Sequence, residues 1–329
     1  VAACVSSLNG NLFITSQEYY AAVQGKIDWV IEPFCVRGSL LMLYGRQGAG
    51  KSTLAYQLAH SLASGTPWLG FPVHRTGPVF YLTLDMPKAE YGRLLERVQN
   101  SGLDLRSDIL PSHPELAHFN IRVRDDRKQL QAAIQAVQPV AVIVDTIAKA
   151  YTPSASNDIN QEVRDVLGKF REVTGDAVLV YLMHERKKSQ FKKLDDHEED
   201  EDAFSGPAAW EQDATTSLRL LDGNGHYRLK AGKTRLDLPG FNVLPLARGP
   251  QTKGGLFSAS ADYQQQLMFW PRFVPLAERF EPSNITDVLL DVAERSGASL
   301  DAVKQHFYRQ KKAGVEFAWS TRLKSEKEA

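Results

Sequence analysis

Residues 38–62 constrain this chain more than any other stretch. Leu40, Leu41, Met42, Leu43 and Tyr44 make an apolar run of strand length, and Gly45-Arg46-Gln47-Gly48-Ala49-Gly50-Lys51-Ser52 follows at once. That octet satisfies G-x-x-x-x-G-K-[ST]. Leu54, Ala55, Leu58, Ala59 and Leu62 then recur at helical spacing. Strand, glycine turn and helix together are the setting in which the motif cradles phosphate. Glycines let the backbone curl and turn its N–H groups inward. A helix beginning near Lys51 points its positive end at the same anion. The octet, with Thr53 beyond it, therefore holds the expected nucleotide-binding residues. Lys51 is expected to reach the terminal phosphates, and Ser52 to ligate Mg²⁺.

The rest of the chain supplies the sheet this motif requires. Apolar runs end in chemistry-bearing residues at Asp85 (78–85), Asp145 (139–145) and His184 (177–184), with helical patterns near 87–98, 125–137 and 157–175. Strands alternating with helices predict an α/β, doubly wound, mainly parallel sheet. Ligands then gather at the carboxyl ends of the strands, where Lys51, Asp85, Asp145 and His184 all fall. Residues 119–123 are read as an added strand, and Asp125-Asp126 as a helix cap. Residues 215–221, 225–231 and 241–246 read as short strands of a smaller β region.

Asp145, after an apolar run, is the expected Walker B acid, holding Mg²⁺ through water. Asp85 is expected as the base or water-orienting acid, with helix capping before Pro87 as the alternative. His184 is expected to sense the terminal phosphate, with a buried structural histidine as the alternative. Formal net charge is zero, so any nucleic-acid contact must come from local patches. Such a patch is Arg186, Lys187, Lys188, Lys192 and Lys193, followed by a strongly acidic run at 195–202 that would repel or shield it. The two cysteines, Cys4 and Cys35, show no metal spacing and suit a reducing, cytoplasmic setting. No apolar run is long enough for a membrane span.

GRQGAGKS at 45–52, GTPWLG at 65–70, VFYLTLD at 79–85, VAVIVD at 140–145, VLVYLMHERK at 178–187 and KAGKTR at 230–235 together resemble the RecA-fold ATPases. Within them the likeness is to the hexameric RepA- and DnaB-like replicative helicases. It covers roughly residues 38–248. The resemblance implies ATP and Mg²⁺ as cofactors, a homo-oligomeric ring drawn as a hexamer, single-stranded DNA in its channel, and replication partners. It implies that Lys233 and Arg235 reach the terminal phosphate of a neighbouring subunit. It also implies DNA contacts from 151–160 and 185–205. Where that family usually carries a catalytic Glu, this chain has Asp85, whose shorter side chain bears on the hydrolysis rate.

The domain expectation is a lead-in segment at 1–37, a RecA-like ATPase domain at 38–248, a linker at 249–283 and a small helical, winged-helix-like region at 284–329. A ring-forming ATP-dependent DNA helicase is the leading expectation. A filament-forming recombinase or mediator, and a slow nucleotide-gated switch holding a protein partner, stand as alternatives.

Overall fold

The computed structural model describes residues 15–18, 27–113, 116, 118–153, 158–185, 208–223, 226–236, 243–250 and 255–259, with Leu289, Lys304 and Tyr308. Two strands, β1 (Trp29–Ile31) and β2 (Cys35–Val36), pair as a small hairpin before the main sheet. Among the described residues the main sheet has nine strands: β3 (Leu40–Gly45), β4 (Val79–Thr83), β5 (Ile109–Pro111), β6 (Ala141–Asp145), β7 (Val178–His184), β8 (Thr216–Gly223), β9 (His226–Thr234), β10 (Val243–Arg248) and β11 (Phe257–Ala259). Their order across the sheet is β11-β10-β9-β8-β3-β7-β6-β4-β5. From β8 to β5 every pairing is parallel, and from β8 to β11 every pairing is antiparallel. The expected mainly parallel, doubly wound α/β sheet of RecA type is what forms. The strands read as a smaller β region extend that same sheet.

The helices lie on both faces, which explains why the central strands are apolar throughout. Helices α1 (Lys51–Ser64) and α2 (Lys88–Asn100) pack with Leu41, Leu43, Tyr81, Ile143, Val180 and Leu182. Helices α3 (Arg124–Val137), α4 (Ile159–Thr174) and α5 (Ala209–Asp213) share the other core with Leu40, Met42, Val142, Val144, Leu179 and Tyr181. Alternate residues of one strand thus serve opposite cores. Helix α4 begins with Asp158 accepting a hydrogen bond from the Gln161 N–H at 2.9 Å and ends at Gly175. Among the described residues no helix is long and apolar enough to cross a membrane.

Three local expectations change. Residues 119–123 form a turn, not a strand. The Asn120 side chain accepts from the Arg122 N–H, and the Asn120 carbonyl from the Val123 N–H, so the backbone closes on itself. Asp125 and Asp126 lie inside the first turn of α3 rather than capping it, and Asp126 instead accepts the Asn120 N–H at 2.7 Å. The added edge strand is instead β5, paired with β4. Strand β11 falls in the stretch read as linker, so the sheet continues to Ala259.

Candidate nucleotide site

The register of the parallel strands sets the site. Gly45 at the end of β3 lies beside His184 at the end of β7, and Asp145 at the end of β6 lies beside Thr83 of β4. The carboxyl ends therefore form one rim, and α1 starts from it. Gly50 stands at the N-cap of α1 with φ 102°, a left-handed conformation that strains any side chain. A Cβ there would also come within 2.9 Å of the Phe257 ring. At Gly45 the backbone passes so close to the Leu220 carbonyl that a Cβ has no space.

Lys51 is buried at the centre of the rim. Its ammonium donates to the carbonyls of Gly45 and Arg46, both at 2.9 Å, and to His184 Nδ1 at 3.0 Å. An accepting Nδ1 leaves the His184 proton on Nε2, which faces Asp85 Oδ2 at 3.4 Å. Burial lowers the Lys51 pKa to about 8, against the opposing pull of Asp145, Glu185 and Asp85. Asp85 is partly exposed beyond the end of β4, and its other oxygen lies 3.8 Å from Lys149 Nζ. The Leu84 and Asp85 N–H groups both donate to the Asp145 carbonyl, fixing the Asp85 turn to the neighbouring strand.

Asp145 is almost fully buried. Burial pushes its carboxyl up, while hydrogen bonds from Ser52 and Tyr81 and the charges of Lys51 and His184 oppose the rise. One buried carboxylate beside a serine hydroxyl fits Mg²⁺, which completes its octahedron with phosphate oxygens and water rather than with a protein cage. Among the described residues no three His, Cys, Asp or Glu side chains gather into such a cage.

Lys233 and Arg235 are not brought to this rim. Thr234 pairs with Thr216, which lies at the level of Leu41, four residues along β3 from Gly45. At about 3.3 Å per residue that separation is roughly 13 Å, toward the opposite edge of the sheet. There the Lys233 ammonium and the Arg235 guanidinium both donate to the Gln212 carbonyl, Arg235 at 2.9 Å. Burial and the neighbouring Arg235 lower the Lys233 pKa. Arg186, Lys187, Lys188, Lys192 and Lys193, the acidic run 195–202, and nearly all of 284–329 lie outside the described residues.

Sequence reasoning missed several neighbours of the site. Glu185, the residue after His184, forms a buried ion pair with Arg219 of β8, Nε to Oε1 at 2.6 Å. Lys149, in a short 3₁₀ turn at Ile147–Lys149, flanks Asp85. Gln57 of α1 pairs its amide with both the N–H and the carbonyl of Phe257, at 2.8 and 2.9 Å. Arg248 rests its guanidinium against the Tyr227 and Phe257 rings beside Gly50. Only the position of Glu185 directly after a strand end could have flagged it. The others meet the site through contacts between residues distant in sequence.

A family model described as an AAA domain matches residues 15–190, more than half of the chain. The chain belongs to the AAA domain family. This AAA domain protein is 26% identical over 230 residues to the DNA repair protein RadA of Synechocystis sp., covering 67% of this chain and 41% of RadA. It thus spans about two-fifths of that relative's length. Among solved structures it is similar to the KaiC-like protein PH0186 of Pyrococcus horikoshii, with TM-score 0.45 and 16% identity over 70% of this chain and 93% of that one. It is also similar to a second solved ATPase domain, with TM-score 0.49 and 15% identity over 74% of this chain and 95% of that one. Family, phosphate loop and sheet order agree on a RecA-fold P-loop ATPase.

Proposed function

We propose that this protein is an ATP- and Mg²⁺-dependent motor of the RepA/DnaB-like type, which assembles into a ring on single-stranded DNA and unwinds duplex. One observation carries the reading. Lys51, Asp85, Asp145 and His184 converge on one rim, while Lys233 and Arg235 stand at the other end of the sheet. A site of this kind needs cations against the transferring phosphoryl group, and Lys51 is already held in the loop by two carbonyls and a histidine. Lys233 and Arg235 would supply further cations from the next subunit, which requires a head-to-tail assembly.

In this reading residues 45–53 hold the nucleotide, and Ser52 and Asp145 hold Mg²⁺, which neutralises charge on the phosphates. Asp85 orients the attacking water. His184 links that acid to Lys51 and so registers the terminal phosphate. Arg186, Lys187, Lys188, Lys192 and Lys193 contact DNA phosphates, and the ATPase domain runs from 38 through 259. The likeness to a DNA repair protein favours a second reading, an ATPase of DNA repair.

ATPase rate measured against protein concentration, with and without single-stranded DNA and beside Lys51→Ala, tests the proposal. A rate that rises steeply with both supports the motor. A slow rate indifferent to both overturns it in favour of a nucleotide switch.

A further inference from the structure

We infer that Glu211 is a positioning residue that sets the placement of Lys233 and Arg235. The inference rests on the proposed role of those two cations at a neighbour's phosphate. Glu211 lies on the short helix α5, which is fixed to the core. The Trp210 ring is buried, its carbonyl accepts the Tyr181 phenol at 2.6 Å, and the Ala209 N–H donates to Asn160 Oδ1 at 3.2 Å. From this support the Glu211 carboxylate reaches both strands of the β8–β9 pair. Its Oε1 accepts the Ser217 hydroxyl at 2.7 Å and the Lys233 N–H at 3.4 Å. The Tyr44 phenol of β3 also hydrogen-bonds Glu211. The next residue, Gln212, supplies the carbonyl that holds the Lys233 and Arg235 side chains. Helix α5 therefore grips the backbone of β9 with one residue and the cations it carries with the next.

The glycine of KAGKTR belongs to the same geometry. A Cβ on Gly232 would come within 2.4 Å of Ser217 Oγ and 2.6 Å of Glu211 Oε1, so only a residue without a side chain lets the carboxylate lie against this strand. The carboxylate also offsets the crowding of two cations. Burial and Arg235 lower the Lys233 pKa, while Asp213 and Glu211 oppose the fall. Placement matters because a misplacement of about 1 Å can cost about 10²-fold in rate.

The test reads ATP turnover of Glu211→Ala and Gly232→Ala, each alone and each mixed with Lys51→Ala or Arg235→Ala under subunit exchange. Alone, each is expected to lose about 10- to 10²-fold in kcat, with KM for ATP within about twofold. Mixed equally with Lys51→Ala, each should recover about a quarter of wild-type turnover, because the partner brings intact cations to an intact phosphate loop. Mixed with Arg235→Ala, neither should recover. Recovery with Arg235→Ala instead would place Glu211 in the service of its own subunit's nucleotide site, through Tyr44, and overturn the inference. Unchanged turnover would also overturn it, as would recovery with neither partner while Lys51→Ala and Arg235→Ala restore each other. If those two fail to restore each other, with exchange verified, the shared site itself fails, and the inference falls with it.

Discussion

The two ends of the parallel sheet carry similar side chains in opposite circumstances. At the carboxyl rim, Lys51 is buried, held by two carbonyls and a histidine, and its charge is opposed by desolvation. At the amino edge, Lys233 and Arg235 share one backbone carbonyl, that of Gln212, and Arg235 is exposed. In the proposed reading the first arrangement is a receptor, with cation and acids in place before any ligand arrives. The second holds its cations by their reach to a short helix end, with Asp213 and Glu211 near Lys233, which suits the proposed role of engaging something outside their own subunit. The difference teaches that basic residues in one ATPase domain need not serve one site. Strand register, more than residue type, separates them.

The largest expected effect breaks the receptor side. Lys51→Ala should lower ATP turnover by at least about 10³-fold, since it removes a fixed cation from a water-poor site. Melting temperature should hold or rise slightly, because the buried ammonium is costly to the fold. Phosphate release and a thermal scan read both. Arg235→Ala, on the other side, should lower turnover by about 10²- to 10³-fold while nucleotide affinity stays within about twofold. Equilibrium binding beside steady-state rates would show this. Comparable losses in binding for the two variants would erase the distinction between the ends.

A third change tests how firmly the rim is built. Arg219→Met leaves Glu185 buried without its partner and should cost about 3 kcal/mol of stability, read by denaturant unfolding. The smallest effect is pH dependence. The Lys51 pKa of about 8 means the free site loses this proton as pH rises through 8, while bound phosphate favours the ammonium. Nucleotide affinity should therefore fall above pH 8, by up to about tenfold per unit, with proton uptake on binding. Calorimetry in buffers of different ionisation enthalpy measures that uptake. Lys51→Ala should abolish the dependence.

How much of this was legible depends on how local each cause is. The phosphate loop, α1 and the strands ending at Asp145 and His184 were readable because glycine spacing and apolar periodicity act over short stretches of chain. Strand β5 was not, since three residues containing Pro111 carry no alternation and are ordered only by pairing with β4. Phe119, Ile121 and Val123 alternate as a strand would, yet Asn120 closes a turn there and the Ile121 N–H goes to Ala150. At the site, Lys51 and Asp145 were legible as motif residues. Tyr81, Lys149 and Arg219 were not, because each matters through one contact made across neighbouring strands or turns. The separation of Lys233 and Arg235 from Lys51 likewise emerges only once β9 is set antiparallel to β8.

Subunit mixing tests the central claim most directly. Lys51→Ala and Arg235→Ala proteins, each inactive alone, are mixed under conditions that let subunits exchange, and ATP turnover is measured. If Arg235 serves a neighbour's site, an equal mixture restores about a quarter of the interfaces, each pairing an intact Lys51 with an intact Arg235 from the next subunit. A mixture that stays as inactive as its parents, with exchange verified by fluorescence transfer, would contradict the shared site.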